Sequence, residues 1–554
     1  MIWLSSTFLS DTSFPIYKAY PFKLNPQWIL EQDFVVMVQE LWNNPKYLEE
    51  DGKLERLIWK LKDLKDNTKQ WQKQCYQDAN AHLRGLENDI NSLLQNTLDG
   101  VITQEDETLL NIIEHSEQLW RQRSEAIWIR SDDQNINFFH NFTNFRRNRK
   151  FDWEIMDDEG NLHSRQKNKK VEVVKHFKNF FKEQGDPSTI DQVSVAAKFS
   201  RLITEVEAEV LYALIQMVEL RDILSKFKVE KSPGSDGWTV EFFLHFFDLF
   251  EGDLLNMIEE SRLKGNISGG LNSTFIALVP KVNETLAFGD YGPISLYNLC
   301  YKIISKIIAN RTKPILSRSL SEEQLGSLQG RQIQDAIGIV HECLHNIKKN
   351  KLKSLVLKLD LQKAYDFINW NLLRMILLQI GLGLKVTSWI MSCVVSTSFA
   401  VLINGEATDL FKRARGLRQG CPLSPLLFIL VMEGVRLLLK ESQREGKLAG
   451  INVSRTIKIL HILFVDDVII MTNATLQEWW EIDKILKSFC LASGLQINAT
   501  KSIILQAGLS EKDLSLYKSL FPYKFSNLAS GFKYLGFYLK TGPQRADGWI
   551  CFLK

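Results

Sequence analysis

The stretch HILFVDDVIIM, His461–Met471, sets two aspartates side by side between runs of large apolar side chains. β-branched and aromatic residues around a short polar pair read as strand, tight turn, strand. Such a hairpin holds Asp466 and Asp467 at its tip, facing one space. Ionised carboxylates in apolar surroundings are costly unless a positive charge meets them. Upstream, Leu355–Leu359 forms a second apolar run that ends on Asp360, and a helix start follows. Asp360 and Asp466 are too far apart in the chain for a local turn to pair them. A sheet can bring the end of one strand beside the tip of the hairpin.

Three carboxylates without His or Cys neighbours suit a hard, oxygen-seeking divalent cation, Mg²⁺ or Mn²⁺. Two such ions ~3.5–4 Å apart clamp an in-line phosphoryl transfer, one acidifying the attacking hydroxyl and the other steadying the leaving oxygen. Taken alone, the doublet is also explained as an ordinary hairpin turn, with Asp360 as a helix cap. A third block, GLRQGCPLSPLLFILVMEGV (Gly416–Val435), separates the two readings. It flanks Gln419 with glycines, on a loop that another backbone or a nucleotide can approach closely. Ser424 as N-cap with Pro425 at the first helical position then predicts a long apolar helix. In chain order, strand-end aspartate, glycine-flanked loop and Asp-Asp hairpin are the blocks of a nucleic-acid polymerase palm.

Bulk properties set limits around this. A chain of 554 residues is longer than one domain, and 45% hydrophobic and 11% aromatic content can bury sizeable cores. Lys+Arg 68 against Asp+Glu 65 leaves +3, too even to mark a nucleic-acid binder by itself. Seven cysteines without a Cys-x-x-Cys pair argue for free thiols in a reducing compartment and against a zinc ribbon. MIWLSSTFLS lacks the charged start and long apolar core of a signal peptide, and no apolar run approaches the ~20 residues that span a bilayer. A soluble, intracellular protein is expected, with nucleus and cytoplasm both open and no membrane partner.

From Tyr47 to about Ile129 the chain is charged and helical in pattern, with Leu54, Leu57, Ile58 and Leu61 on one face. It reads as a long surface helix or helical hairpin, with a partner-binding coiled coil as the alternative. NFFHNFTNFRRNRK (Asn137–Lys150) interleaves aromatics with basic residues. It can stack bases and meet phosphates, or serve as an amphipathic helix end. From about residue 230 to 541 turn-rich loops alternate with apolar strands and helices, which predicts an α+β catalytic domain.

The chain resembles the reverse transcriptases of LINE-type (non-LTR) retrotransposons, of the plant kind. Besides the three palm blocks it carries KSPGSDGWTVEFF (Lys231–Phe243), LNSTFIALVPK (Leu271–Lys281), YGPISLYNLCYKIISKIIANR (Tyr291–Arg311), GRQIQDAIGIVHE (Gly330–Glu342), SGLQINATKS (Ser493–Ser502) and FKYLGFYL (Phe532–Leu539). The match runs in consistent order from about 128 to 541. The resemblance implies a right-hand polymerase fold of α+β class, palm and fingers, behind a mainly helical N-terminal extension. It also implies boundaries: 1–48 a remnant after a lost endonuclease domain, 49–130 a charged helical linker, 131–227 an N-terminal extension, 228–350 fingers, 351–541 palm and primer grip, and 542–554 the truncated start of a thumb. Asp360, Asp466 and Asp467 would be catalytic and hold two Mg²⁺ ions, with Mn²⁺ as a substitute. Lys281, Arg331, Tyr365, Gln419 and Lys501 would bind the nucleotide, Tyr365 as the gate against a 2′-hydroxyl and Lys501 as general acid toward pyrophosphate. Tyr534, Leu535 and Gly536 would form the primer grip. The partners implied are an RNA template, a DNA primer and dNTPs, with no small-molecule cofactor, for an RNA-directed DNA polymerase. A remnant that binds nucleic acid without polymerising is the alternative.

The sequence departs from the family pattern at three places. Gly292-Pro293-Ile294 stands where the family has Arg-Pro-Ile, so a cationic residue expected at the triphosphate is missing. Val465 replaces an alanine and Ser327 a phenylalanine. LSDTSFPIY near the start resembles the end of an endonuclease, with Thr12 in place of a histidine. One motif points elsewhere: HECLH (His341–His345) fits the His-Glu-x-x-His pattern of zinc proteases. Its helix also shows an apolar stripe, Ile333, Ile337, Val340, Leu344 and Ile347, and no third ligand follows, so a packing helix is expected there.

Overall fold

The computed structural model describes residues 21–47, 52–96, 154–183, 188–281, 285–453 and 457–541. LSDTSFPIY, NFFHNFTNFRRNRK, the remainder of the helical segment after residue 96 and the stretch 542–554 lie outside the described residues. The helices that carry the argument are α1 (Gln32–Trp42), α2 (Lys53–Asn96), α3 (Gln166–Phe181), α4 (Phe247–Lys264), α5 (Leu299–Ser319), α6 (Ile333–Lys349), α7 (Ala364–Phe367), α8 (Ser424–Arg444) and α9 (Leu476–Ser493). The strands are β1 (Ser273–Pro280), β2 (Tyr291–Tyr297), β3 (Ser354–Leu359), β4 (Ser398–Ile403), β5 (His461–Phe464), β6 (Asp467–Asn473), β7 (Ile503–Ala507), β8 (Lys524–Asn527), β9 (Phe532–Tyr534) and β10 (Phe537–Leu539).

One sheet runs β5-β6-β3-β7-β8, antiparallel except for the last pair. Its strands alternate between two separate cores, as a two-residue period requires. Leu355, Leu357, Leu359, Val468, Ile470 and Ile504 join the large core that α8 and α9 help to build. Val356, Ile469, Met471 and Leu505 face the opposite way, onto α6 and the β9–β10 hairpin. A strand covered on both faces needs apolar residues at every position, so Leu355 to Leu359 reads as an almost unbroken apolar run. The stripe Ile337, Val340, Leu344 and Ile347 of α6 is buried on this side, with Ile333 partly covered. The helix bearing His341 and His345 is therefore a packing helix, and His345 is exposed on its outer face.

A second sheet has β1 at its centre, antiparallel to β2 and parallel to β4, extended by Glu406–Ala407. Its inner face packs Ile276, Phe399 and Val401 against Phe177 and Phe181 of α3.

Residues 21–47 are built into the large core. Leu24, Phe34, Val38 and Trp42 are buried there, and the Trp42 and Phe250 rings lie 4.0 Å apart. The chain at Phe22 passes so close to Gly237 (φ +85°) that a Cβ on that glycine would lie 2.3 Å from the Phe22 carbonyl oxygen. Helix α2 follows the predicted periodicity: Leu54, Leu57, Leu61 and Leu64 are buried, and Lys60 pairs with Asp253 of α4 at 2.8 Å. Its first half is thus docked on α4.

Helix α8 differs in its start. Leu423, already helical in conformation, is the capping residue and makes no side-chain cap; Ser424 is the first residue of the helix. A tight turn from Cys421, with the Ser424 amide donating to the Cys421 carbonyl at 3.2 Å, feeds the chain in one residue early. No helix among the described residues is long and apolar enough to cross a membrane.

Trp42→Ala tests whether the N-terminal segment is structural. Deleting an aromatic side chain from a packed core costs about 3–5 kcal/mol, so the urea midpoint is expected to fall accordingly. An undocked linker would leave it within about 0.5 kcal/mol.

Candidate active site

Phe464 faces Asp467 across the β5–β6 hairpin, so the two turn residues are Val465 and Asp466. The expectation that both aspartates share the tip is corrected here: Asp466 occupies the turn, and Asp467 is the first residue of β6. Val465 takes the left-handed conformation (φ 58°), which is unfavourable for a β-branched side chain. A strap holds it there. The Leu463 amide donates to the Glu323 carbonyl at 3.0 Å and the Leu325 amide to the Leu463 carbonyl at 2.8 Å. The buried Gln324 Oε1 accepts from the amides of Val465 at 3.3 Å and Gly326 at 3.2 Å. Gly326 is open only because it lacks a Cβ, which would lie 2.5 Å from Val465 Cγ2.

Strand β3 lies beside β6 with Leu359 opposite Val468, so Asp360, one residue on, arrives next to Asp467. The Asp360 amide donates to Ser502 Oγ at 2.9 Å, and its carbonyl accepts from the Asn498 amide at 2.8 Å. Partial burial raises the Asp466 pKa above the ordinary carboxylate value, and the charge of Asp360 raises it further. Asp467 is raised by burial and then by Asp466 and Asp360, with Lys358 opposing. The three carboxylates therefore act on one another, and among the described residues none of them makes a salt bridge. Elsewhere, ligand atoms of Asp157, His163 and Glu172 lie within 4.8 Å of one another. Asp157 is occupied differently, accepting from the amides of Glu159 at 3.0 Å and Asn161 at 2.8 Å as a turn cap.

Tyr365, in α7, stacks on Phe428 with centroids 4.6 Å apart; burial and the Asp466 charge raise its hydroxyl pKa to about 12. Tyr534 closes β9, and Leu535 (φ 47°) and Gly536 (φ 88°) make the turn to β10. The Tyr534 hydroxyl is buried with no hydrogen-bond partner among the described residues, and its pKa is raised by burial and by Asp467. Lys501 is exposed on the turn that carries Ser502 and Asn498.

Gln419 is exposed and helps to line a cleft of about 490 Å³, together with Lys231, Ser232, the β2 stretch Pro293–Tyr297, Lys302 and Gly420. Its two glycines serve different ends. A Cβ on Gly416 (φ +89°) would lie 2.3 Å from the Asp366 carbonyl oxygen, whereas one on Gly420 (φ +81°) would meet nothing within 4 Å. The first admits another backbone, and the second leaves the cleft open. Lys281 is exposed at the end of β1, its Nζ 3.4 Å from the Gly289 carbonyl. Gly292 lies across from Val279, and a Cβ there would touch Lys281 Cε at an ordinary 3.5 Å.

Arg331 is engaged with backbone carbonyls. Its guanidinium donates to the carbonyls of Ser321 and Gln324, of Leu320 at 2.8 Å and of Ser317 at 3.2 Å. It thereby satisfies the open end of α5 and the start of the strap.

Sequence reasoning missed Lys358, Ser502, Gln324 and Asp366. It also missed three arginines of KRARGLRQG that are buried beneath the Gln419 loop: Arg413, Arg415 and Arg418. Arginine recurring beside a glycine-rich loop, among aromatics that can cover it, was the available signal.

Residues 279–539 match the family of reverse transcriptases (RNA-dependent DNA polymerases). The chain is similar to a 149 kDa protein of transposon TX1 from Xenopus laevis, 28% identical over 344 residues that cover 61% of this chain and 25% of that protein. It is 25% identical over 277 residues to the Pol polyprotein of the type-2 retrotransposable element R2DM of Drosophila melanogaster, covering 50% of this chain and 25% of the polyprotein. A mitochondrial protein of Arabidopsis thaliana is 49% identical over 67 residues, 12% of this chain and 55% of that protein. The chain spans about a quarter of the length of the first two relatives.

Asp236, in the loop beside the cleft, gives a pH test. Burial raises its pKa to about 6, against the Trp238 amide and the charges of Lys65 and Lys302. A carboxyl with a raised folded pKa binds more protons folded than unfolded, so its share of stability falls as pH rises from about 4 to 6. Asp236→Asn is expected to flatten that part of the stability curve and gain on wild type above pH 6. Parallel wild-type and variant curves in urea unfolding would refute the assignment.

Proposed function

We propose that this chain, whose residues 279–539 are a reverse transcriptase domain of the non-LTR retrotransposon kind, is an RNA-directed DNA polymerase that adds dNTPs to a DNA primer on an RNA template. The observation that carries this is the meeting of Asp360 with the Asp466–Asp467 hairpin, a cluster of three like charges in which, among the described residues, no carboxylate makes a salt bridge. The lobe around β1, β2 and β4 takes the part of the fingers, the β5-β6-β3-β7-β8 sheet that of the palm, and β9–β10 that of the primer grip.

All-oxygen ligands fit divalent magnesium, and Asp360, Asp466 and Asp467 would hold two such ions. When bound, these ions acidify the primer hydroxyl and offset charge on the leaving oxygen. The primer 3′-oxygen attacks the α-phosphorus, a new P–O ester bond forms, and the bond to pyrophosphate breaks. Lys501 gives a proton toward pyrophosphate, and Lys281 offsets triphosphate charge. Tyr365, stacked in place on Phe428, excludes a 2′-hydroxyl. The cleft beside Gln419, with Lys231 and Lys302 at its walls, takes the template strand next to the nucleotide. Arg331, spent on carbonyls, contributes by holding the strap.

Gly292 supports a second reading, a fold that binds primer and template but extends poorly. Losing one preorganised donor costs roughly 10²–10³-fold in rate. Space at Gly292 admits a side chain next to Lys281.

Primer extension on poly-rA/oligo-dT with Mg²⁺ and dTTP tests both readings. Extension is expected in wild type, loss below detection in Asp466→Ala, and a gain of roughly 10²–10³-fold in Gly292→Arg. Template binding without extension in any variant would favour the binding-only remnant. Extension that survives Asp466→Ala would remove the aspartates from the chemistry.

A further inference from the structure

Gln419 is held from behind. Its Nε2 lies 3.3 Å from Asp366 Oδ2, and Asp366 is only 2% exposed. The other Asp366 oxygen lies 3.5 Å from Arg413 Nη1. The Arg413 guanidinium is itself closed between the rings of Phe181 and Phe399, at 3.7 and 4.1 Å. Burial raises the Asp366 pKa above the ordinary carboxylate value, with Arg413 the first of the groups that oppose it; ionised beside that guanidinium, Asp366 has acceptors only. It can engage the NH₂ end of the Gln419 amide and not the carbonyl end, so Oε1 is left to the cleft. We propose that Asp366 is a positioning residue that fixes the Gln419 amide, so that the pocket offers its carbonyl oxygen to a sugar hydroxyl of the incoming nucleotide. This rests on the polymerase reading above.

The surrounding bonds make the platform stiff enough for such a role. The Leu417 amide donates to the Tyr365 carbonyl at 2.6 Å and the Gly416 amide to the Ile368 carbonyl at 2.8 Å. Trp370 Nε1 donates to the Gly416 carbonyl at 2.8 Å. Tyr365 and Gln419 thus stand on one hydrogen-bonded unit, joined through the backbone and through the Asp366 side chain.

The test measures dTTP affinity of the full chain on poly-rA/oligo-dT with a dideoxy-terminated primer, so that binding is read without chemistry. Gln419→Ala is expected to weaken dTTP about 10-fold, the worth of one hydrogen bond. Gln419→Glu should be several-fold worse again, because its carboxylate is repelled by Asp366. Asp366→Asn should weaken dTTP about as much as Gln419→Ala, and the double variant no more than either single one. Equal affinities for the Glu and Ala variants, or multiplicative losses in the double variant, would overturn the proposal. Asp366→Asn also strips Arg413 of its partner; if it does not fold, the Glu–Ala contrast decides alone. A wild type that binds dTTP but extends no primer defeats only the polymerase reading, whereas one that binds no dTTP defeats both.

Discussion

Mutual repulsion of three carboxylates is the constraint that organises the rest. Burial and the charge of Asp360 raise the pKa values of Asp466 and Asp467, which stand with it at neighbouring strand ends, and among the described residues no ion pair relieves the three. Strands hydrogen-bonded along their length can hold such a cluster, because the ladder fixes where each strand ends. The sheet is anchored on both faces, by α8 and α9 on one side and by α6 with the β9–β10 hairpin on the other. The like charges are therefore opposed by two cores at once.

The part of this that depends on local pattern was legible in the sequence. The apolar runs around Asp360 and Asp466, the stripe of α6 and the leucine face of α2 follow from periods of two and 3.6, and each element lies where its period puts it. The parts that depend on distant partners were not. Nothing near Val465 announces that Gln324 will hold it in a left-handed turn, so the pair at the hairpin tip was misread by one residue. Ser424 has the composition of an N-cap, but the turn from Cys421 begins the helix one position earlier. Phe34, Val38 and Trp42 recur every four residues on the buried face of α1, but the surface they fill, Phe250 of α4 among it, lies more than two hundred residues away in the chain.

The site shows the same division. Asp360, Asp466, Asp467, Tyr365 and Tyr534 come to one place, joined by electrostatic effects as well as by strand pairing. Gln419 faces the cleft. Arg331 shows how a motif position can be occupied by the expected residue type while its donors are spent on backbone: four carbonyls around a helix end compete well for a planar guanidinium. The glycines at 416 and 420 look alike in sequence, and only the Asp366 carbonyl against one and open space against the other tell them apart.

The strap from Glu323 to Gly326 gives the molecule a mechanical linkage. Arg331 grips the last carbonyls of α5, and four residues later the same segment is hydrogen-bonded along β5 to the turn that carries Asp466. The strap couples the end of α5 to that turn, where Val465 is held in an uncommon conformation. A displacement of the end of α5 would be passed through the strap to the Val465–Asp466 turn. The placement of one carboxylate is thus tied, through hydrogen bonds of the backbone, to the end of a helix more than a hundred residues earlier in the chain.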